Sequence, residues 1–209
     1  MINRYVTSLA LTALFATGAA KAQSVRLSVA PESKLWVEGG SNLHDWHCQA
    51  SAIDAQIEAE KAILDSAPAP ALLKKVSVKV PVRNLKCGSG KMEDNLYKAL
   101  KADATPQISY ILGSFEAQPG QSDSYTLKTV GTLTIAGTEK TVNMDVTTKR
   151  QPDGSLRANG ELPLLMTDFG VKPPTALLGT LRTNNEVKVK FELLVAPQAV
   201  AAAVSGNPR

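Results

Sequence analysis

The run from Tyr125 to Lys149, YTLKTVGTLTIAGTEKTVNMDVTTK, constrains this chain more than any other stretch. Leu127, Gly131, Leu133 and Ile135 share one parity, with Thr126, Lys128, Thr132 and Thr134 between them. An extended backbone therefore puts the apolar set on one face and the polar set on the other. After Ala136-Gly137-Thr138-Glu139-Lys140 the alternation restarts as Val142, Met144 and Val146 against Asn143, Asp145 and Thr147. The pattern predicts a β-hairpin turned at Gly137. Two such arms belong to an antiparallel sheet that is wet outside and encloses apolar material inside.

The remaining chain repeats this construction. Leu35-Trp36-Val37-Glu38 reads as a first strand stopped by Gly39-Gly40, and SNLHDW, from Ser41 to Trp46, as a turn. From Cys48 the set Ile53, Ala55, Ile57 and Ala59 alternates, and Pro68 and Pro70 break the segment before them. Val76, Val78, Val80 and Val82 form a third strand that Pro81 bends or places at an edge. Met92, Leu96, Ala99 and Leu100 recur at helical spacing, with Glu93 and Asp94 early, Lys98 and Lys101 late, and Pro106 closing the segment. Ile108, Tyr110 and Leu112 open another strand. Leu156, Ala158, Leu162, Leu164 and Met166 make one in which Gly160 suggests a bulge or bend. Pro173 to Gly179 reads as a helical turn or lid loop, and Val187 to Val195 as the last strand. The sum is all-β with one short helix, about eight antiparallel strands in one domain. Such a sheet stacks as a sandwich or closes as a barrel. Aromatic residues are only 5% of the chain and many inward candidates are small, which suits an eight-stranded barrel holding a ligand.

Residues 1–22 read as a secretory signal: Arg4 in the lead, an apolar run from Leu9 to Ala16, and Ala20-Lys21-Ala22 before Gln23. Cleavage near Ala22 would deliver a periplasmic or secreted protein, with a barrel domain over 23–196 and a flexible Ala-rich tail over 197–209. Taking Arg4 and Lys21 from the 23 Lys and Arg leaves 21 against 19 Asp and Glu, a net charge of +2 that gives no case for nucleic acid. The only two cysteines, Cys48 and Cys87, favour one disulfide in an oxidising compartment, against two separate buried thiols.

Little points to bond-making chemistry. His44 and His47 are the only histidines, and no Gly-x-Ser-x-Gly elbow exists, so a hydrolytic triad has poor support. His44, His47 and the two thiols could make a metal site, but a disulfide consumes both thiols; the expectation is no metal, no catalytic residue and no cofactor. Gly88-Ser89-Gly90-Lys91 falls short of a phosphate loop and reads as a helix-capping turn. Trp36 and Trp46 read as core or mouth aromatics.

Four stretches together resemble the YceI-like family of exported lipid-binding proteins. They are SKLWVEGGSNLHDW, PVRNLKCGSGKMEDNLYKALKADATPQISY, GTLTIAGTEKTVNMDV and LPLLMTDFGVKPPTALLGTLRTNNEVKVKFEL. The resemblance runs from about Ser33 to Val195 and is carried by the order of the motifs, including Asp168-Phe169-Gly170. It implies a lipocalin-like antiparallel β-barrel with a tunnel for a long isoprenoid or fatty chain. Many members carry an Arg-Asp pair where this chain has Met92, Glu93 and Asp94, so headgroup recognition does not transfer. The expected lining is Trp36, Val78, Val80, Tyr110, Leu112, Leu133, Ile135, Met144, Met166 and Phe169, with His44, Arg83 and Lys91 as candidate headgroup contacts. The expected partner is a long-chain lipid or isoprenoid, bound without catalysis. Transient membrane contact and a homodimer are compatible with this reading. The rivals are a partner-binding envelope protein with a solid barrel core and a redox accessory protein.

Overall fold

Eight passes of the chain, each antiparallel to the one before it, make the wall. The computed structural model describes residues 24–63, 73–122, 124–176 and 179–198; the expected signal segment, Pro68 and Pro70, and the tail beyond Gln198 lie outside the described residues. The first three passes are each interrupted once. They comprise β1 (Ser24–Val29) with β2 (Lys34–Ser41), β3 (Asp45–Ala50) with β4 (Asp54–Glu60), and β5 (Leu73–Pro81) with the two-residue β6 (Leu85–Lys86). The other five are β7 (Gln107–Pro119), β8 (Ser124–Ile135), β9 (Thr138–Arg150), β10 (Leu156–Leu165) and β12 (Leu181–Pro197), while β11 (Thr175–Ala176) adds a short rung to β12. One helix, α1 (Gly90–Ala99), lies between the third and fourth passes.

Closure decides between sandwich and barrel. β12 pairs with β10 along one edge; along its other edge it pairs first with β2, through Thr183↔Ser41 to Glu192↔Lys34, and then with β1, through Val195↔Val29 to Pro197↔Leu27. The first and last passes thereby join, and the sheet closes as an eight-stranded antiparallel barrel. The interruptions sit side by side. Pro31 lies between β1 and β2, where Ser33 Oγ both accepts from Leu194 N–H (2.9 Å) and approaches Leu194 C=O. Ser51 separates β3 from β4 and bonds Asn84 C=O (2.8 Å), and Pro81 ends β5 ahead of a 3-10 turn over Val82–Asn84. Proline has no N–H for the ladder, so a kink there leaves no backbone donor unpaired.

Several sequence expectations are corrected. β1 is an additional strand whose Val25, Leu27 and Val29 alternate like the others. Gly39 and Gly40 do not stop β2; the strand runs through them because Trp46, the cross-strand partner of Gly39, lays its indole where a side chain would be. A Cβ on Gly39 would sit 2.3 Å from that ring. Gly160 makes no bulge, since the β10–β12 register is continuous there. Instead the Phe191 ring of the facing strand covers it, 2.4 Å from where a Cβ would be. Residues 175–176 are a strand rather than part of a helical turn. The hairpin forms as expected but turns in two residues, Ala136 and Gly137, both at positive φ (50° and 82°), with Thr138 already paired to Ile135.

Two clusters of buried side chains lie toward the two ends of the barrel. Val82, Leu85, Leu100, Ala102, Ala136 and Phe169 gather at the end that carries α1 and the β8–β9 turn. Leu27, Ile57, Ala59, Ile63, Leu193 and Val195 gather at the other, where Arg150 donates to the Ile63 carbonyl. Replacing Gly160 with valine should force the Phe191 ring off the wall and lower stability by about 1–3 kcal/mol, read as a drop in the urea midpoint. An unmoved midpoint would show that the ring does not need this seat.

Candidate functional site: an apolar lumen

Between those clusters the barrel is hollow. The cavity measures about 620 Å³, and residues from all eight passes line it. Its walls are apolar because the inward parity of each strand is mostly apolar: Val76, Val78 and Val80 on β5, Ile108, Tyr110 and Leu112 on β7, Leu127, Leu133 and Ile135 on β8, Met144 and Val146 on β9. Several of these are only partly buried although they point inward, since part of their surface faces the lumen. Aromatic rings would be the obvious fillers, yet three of the inward ones lie along the wall. Trp46 lies over Gly39, Phe191 over Gly160, and Tyr110 over Gly131, where a Cβ would come within 2.5 Å of the ring. A glycine beneath each ring lets it lie flat instead of projecting across the bore.

The lumen reaches solvent at the α1 end. Ser41 and His44 border it from the β2–β3 turn, Ser89, Lys91 and Asn95 from the start of α1, and Pro174, Thr175 and Thr183 from the last crossing. The β2–β3 turn is held firmly. Ser41 Oγ donates to His44 C=O (2.8 Å) and accepts from the Leu43 and His44 amides, while Asn42 exchanges bonds with the backbone of Thr180 and Arg182. Leu43, at its tip, is 71% exposed.

The helix is fixed to the wall beside the disulfide between Cys48 and Cys87. That bond joins β3 to the segment leading into α1, closes a loop over 39 positions, and leaves neither thiol available to a metal. It is worth about 3–4 kcal/mol in the chain-entropy account and marks an oxidising compartment. Glu93 accepts the Cys87 N–H (3.1 Å), and Lys86 donates to the Tyr97 hydroxyl (3.1 Å), which lies within reach of the Arg83 and Leu85 carbonyls. The Cys87 amide first, and then the Lys86 charge, hold the Glu93 carboxyl below the ordinary carboxylate range. The Lys86 ammonium is raised, chiefly by its bond to Tyr97.

Nine of the ten side chains expected to line a tunnel do line this one: Val78, Val80, Tyr110, Leu112, Leu133, Ile135, Met144, Met166 and Phe169. Trp36 does not. Its cross-strand partners are Lys190 and Gln49, so it shares their outer face while its neighbours Leu35 and Val37 point in. The Trp36 indole donates to Glu38 (2.7 Å), which also pairs with Lys190 (2.7 Å); Lys190 first and Trp36 second lower the Glu38 pKa. Of the candidate headgroup contacts, His44 and Lys91 stand at the mouth. Arg83 is away from it, paired with Asp103 (2.6 Å) and stacked on the Tyr97 ring. The sequence-based lining omitted Leu27, Ile57, Leu156, Phe191, Leu193 and Val195, which complete the closed end. Their alternation was the available signal.

A closed eight-stranded antiparallel barrel with an apolar lumen has the architecture of the small-ligand-binding barrels. The chain belongs to the YceI-like family: the model of the YceI-like domain matches residues 36–195. Among solved structures, Burkholderia cenocepacia BcnA is similar at 21% identity and a TM-score of 0.62, over 81% of this chain and 99% of that one. A polyisoprenoid binding domain from Saccharophagus degradans is similar at 10% identity and a TM-score of 0.63, over 83% and 99%. The Campylobacter jejuni YceI protein is similar at 19% identity and a TM-score of 0.53, over 70% and 81%. No curated protein sequence matches the chain.

Because the Glu93 pKa is depressed in the folded state, its contribution is present above the unfolded carboxylate value and is lost as pH falls through the folded one. Acidification should therefore lower the protection factor of the Cys87 amide, its exchange rate corrected for the intrinsic dependence on pH, before it lowers those at the centre of β8. Protection lost equally in both places would contradict this anchoring role.

Proposed function

We propose that this is an exported, non-enzymatic carrier that shelters one long apolar chain, a polyisoprenoid, a quinone tail or a fatty acid, in the barrel. The observation that carries the reading is the lumen itself, predominantly apolar and kept open by rings that lie along the wall. A solid, partner-binding barrel would need those rings, or larger side chains, across the bore. The family membership and the similarity to a polyisoprenoid binding domain support the same reading.

Magnitudes make hydrophobic contact sufficient. At roughly 30 Å³ for each small heavy atom, the volume a water takes, about 620 Å³ holds on the order of 20 chain carbons. Burying about 500 Å² of tail contributes roughly 12 kcal/mol gross at ~25 cal/mol per Å². Association and ordering remove a good part of this, and a useful affinity remains. His44 and Lys91 would then meet whatever polar end projects from the mouth. Export accords with the disulfide and with the signal expected over residues 1–22.

Val78→Trp would put an indole into the bore in place of an isopropyl group. A fluorescent apolar probe such as N-phenyl-1-naphthylamine should bind the unmodified protein and be displaced by geranylgeraniol. The variant, shown by circular dichroism to keep its strands, should take up at least tenfold less probe. Equal uptake by both proteins would place probe binding outside the lumen.

A further inference from the structure

One polar device sits in the otherwise apolar lumen, near its middle. Thr129, in the centre of β8, is 5% exposed and donates its hydroxyl proton to the Met144 carbonyl at 2.7 Å. That bond uses the only proton on Oγ1, so toward any other group Thr129 can only accept. Its other neighbour is the Tyr110 hydroxyl at 3.4 Å, beyond the usual 2.5–3.0 Å of an O–H···O bond. Tyr110 is fixed by its ladder partners Val78 and Leu133, both inward, and by the seat its ring takes on Gly131. Its hydroxyl therefore holds a stable position against the wall, with its proton on a long contact and both lone pairs uncommitted.

The other hydroxyls on the lining differ. Thr148 is directed to the Tyr125 carbonyl on the barrel wall, while Ser41, Ser89, Thr175 and Thr183 border the mouth. A pure hydrocarbon in the lumen would strip water from Tyr110 and leave it only the long contact to Thr129. A ligand carrying an acceptor oxygen at this depth would take the proton in a normal bond. An unmade bond in an apolar site is penalised more than a made one is rewarded, so the site discriminates between the two.

We propose that the Tyr110 hydroxyl, seated on Gly131 and backed by Thr129, donates a hydrogen bond to an oxygen of the bound lipid. The preferred cargo is then an oxygenated lipid whose carbonyl enters the barrel rather than remaining at the mouth. This rests on the lumen-binding reading and adds a chemical class to it.

Two probes of nearly the same shape separate the cases: farnesylacetone, an isoprenoid ketone, and 2,6,10,14-tetramethylpentadeca-1,5,9,13-tetraene, the hydrocarbon in which a methylene group replaces the ketone oxygen. The ketone pays to shed water from its carbonyl and the hydrocarbon does not, so the informative quantity is how their affinity ratio changes between proteins. The ketone-to-hydrocarbon ratio should be roughly three- to tenfold higher in the full-length unmodified protein than in Tyr110→Phe, the value of one neutral hydrogen bond. The carbonyl stretch of bound farnesylacetone should lie at lower frequency in the unmodified protein than in Tyr110→Phe, a readout independent of stability. A ratio and stretch that Tyr110→Phe leaves unchanged would overturn the role of Tyr110 while leaving lumen binding intact. Failure of both probes to bind would instead overturn the lumen reading.

Discussion

An aromatic ring that lies on a glycine of a neighbouring strand occupies the wall of a barrel instead of its bore, and this contact occurs three times here. Trp46 covers Gly39, Tyr110 covers Gly131 and Phe191 covers Gly160. Any β-carbon at those glycines would overlap the ring, and relief would come from swinging the ring toward the axis. The small, aliphatic residues elsewhere on the inner face could not by themselves keep the space empty if those three rings crossed it. An eight-stranded barrel is just wide enough for side chains to fill, so whether it holds a ligand depends on where its largest side chains go.

The rest of the architecture gives that space its shape. Aligned kinks at Pro31, Ser51 and Pro81 bend the first three passes, and the long β12 receives both β2 and β1 to close the circle. One end is sealed by Leu27, Ile57, Ile63, Leu193 and Val195. At the other, the Cys48–Cys87 bond and the polar contacts around Glu93 and Tyr97 hold α1 at one side of the opening. Among the described residues the product is a tube with a polar rim at the α1 end, a shape that a chain-like ligand fits.

Much of this was legible before any coordinates. Period-2 alternation on β5, β8, β9 and the end of β12 assigned the inner face correctly, because one parity there is almost wholly aliphatic. The resemblance to the YceI-like family supplied closure, which alternation alone leaves open between a barrel and a sandwich. Trp36 was misplaced because its size outweighed the parity set by Leu35 and Val37, and a shift of one residue exchanges the faces of a strand. The glycines misled for a related reason. Read locally, Gly39-Gly40 signals a stop and Gly160 a bend, but Gly39 and Gly160 each lie under a ring from another strand, and a β-carbon on Gly40 would meet the Asn184 side chain. Gly137 followed its local reading, as a residue at positive φ in a two-residue turn, and Gly88 and Gly90 followed theirs around the Ser89 N-cap of α1. Arg83 looked available to a headgroup, yet Asp103, twenty positions away, engages it.

The central claim is that the lumen carries a lipid tail, and its most direct test is native mass spectrometry of the protein purified without detergent from the cells that make it. The account predicts a stoichiometric adduct that solvent extraction releases as a long-chain isoprenoid, quinone or fatty acid. A protein that flies empty, and remains empty after incubation with such lipids, would contradict it.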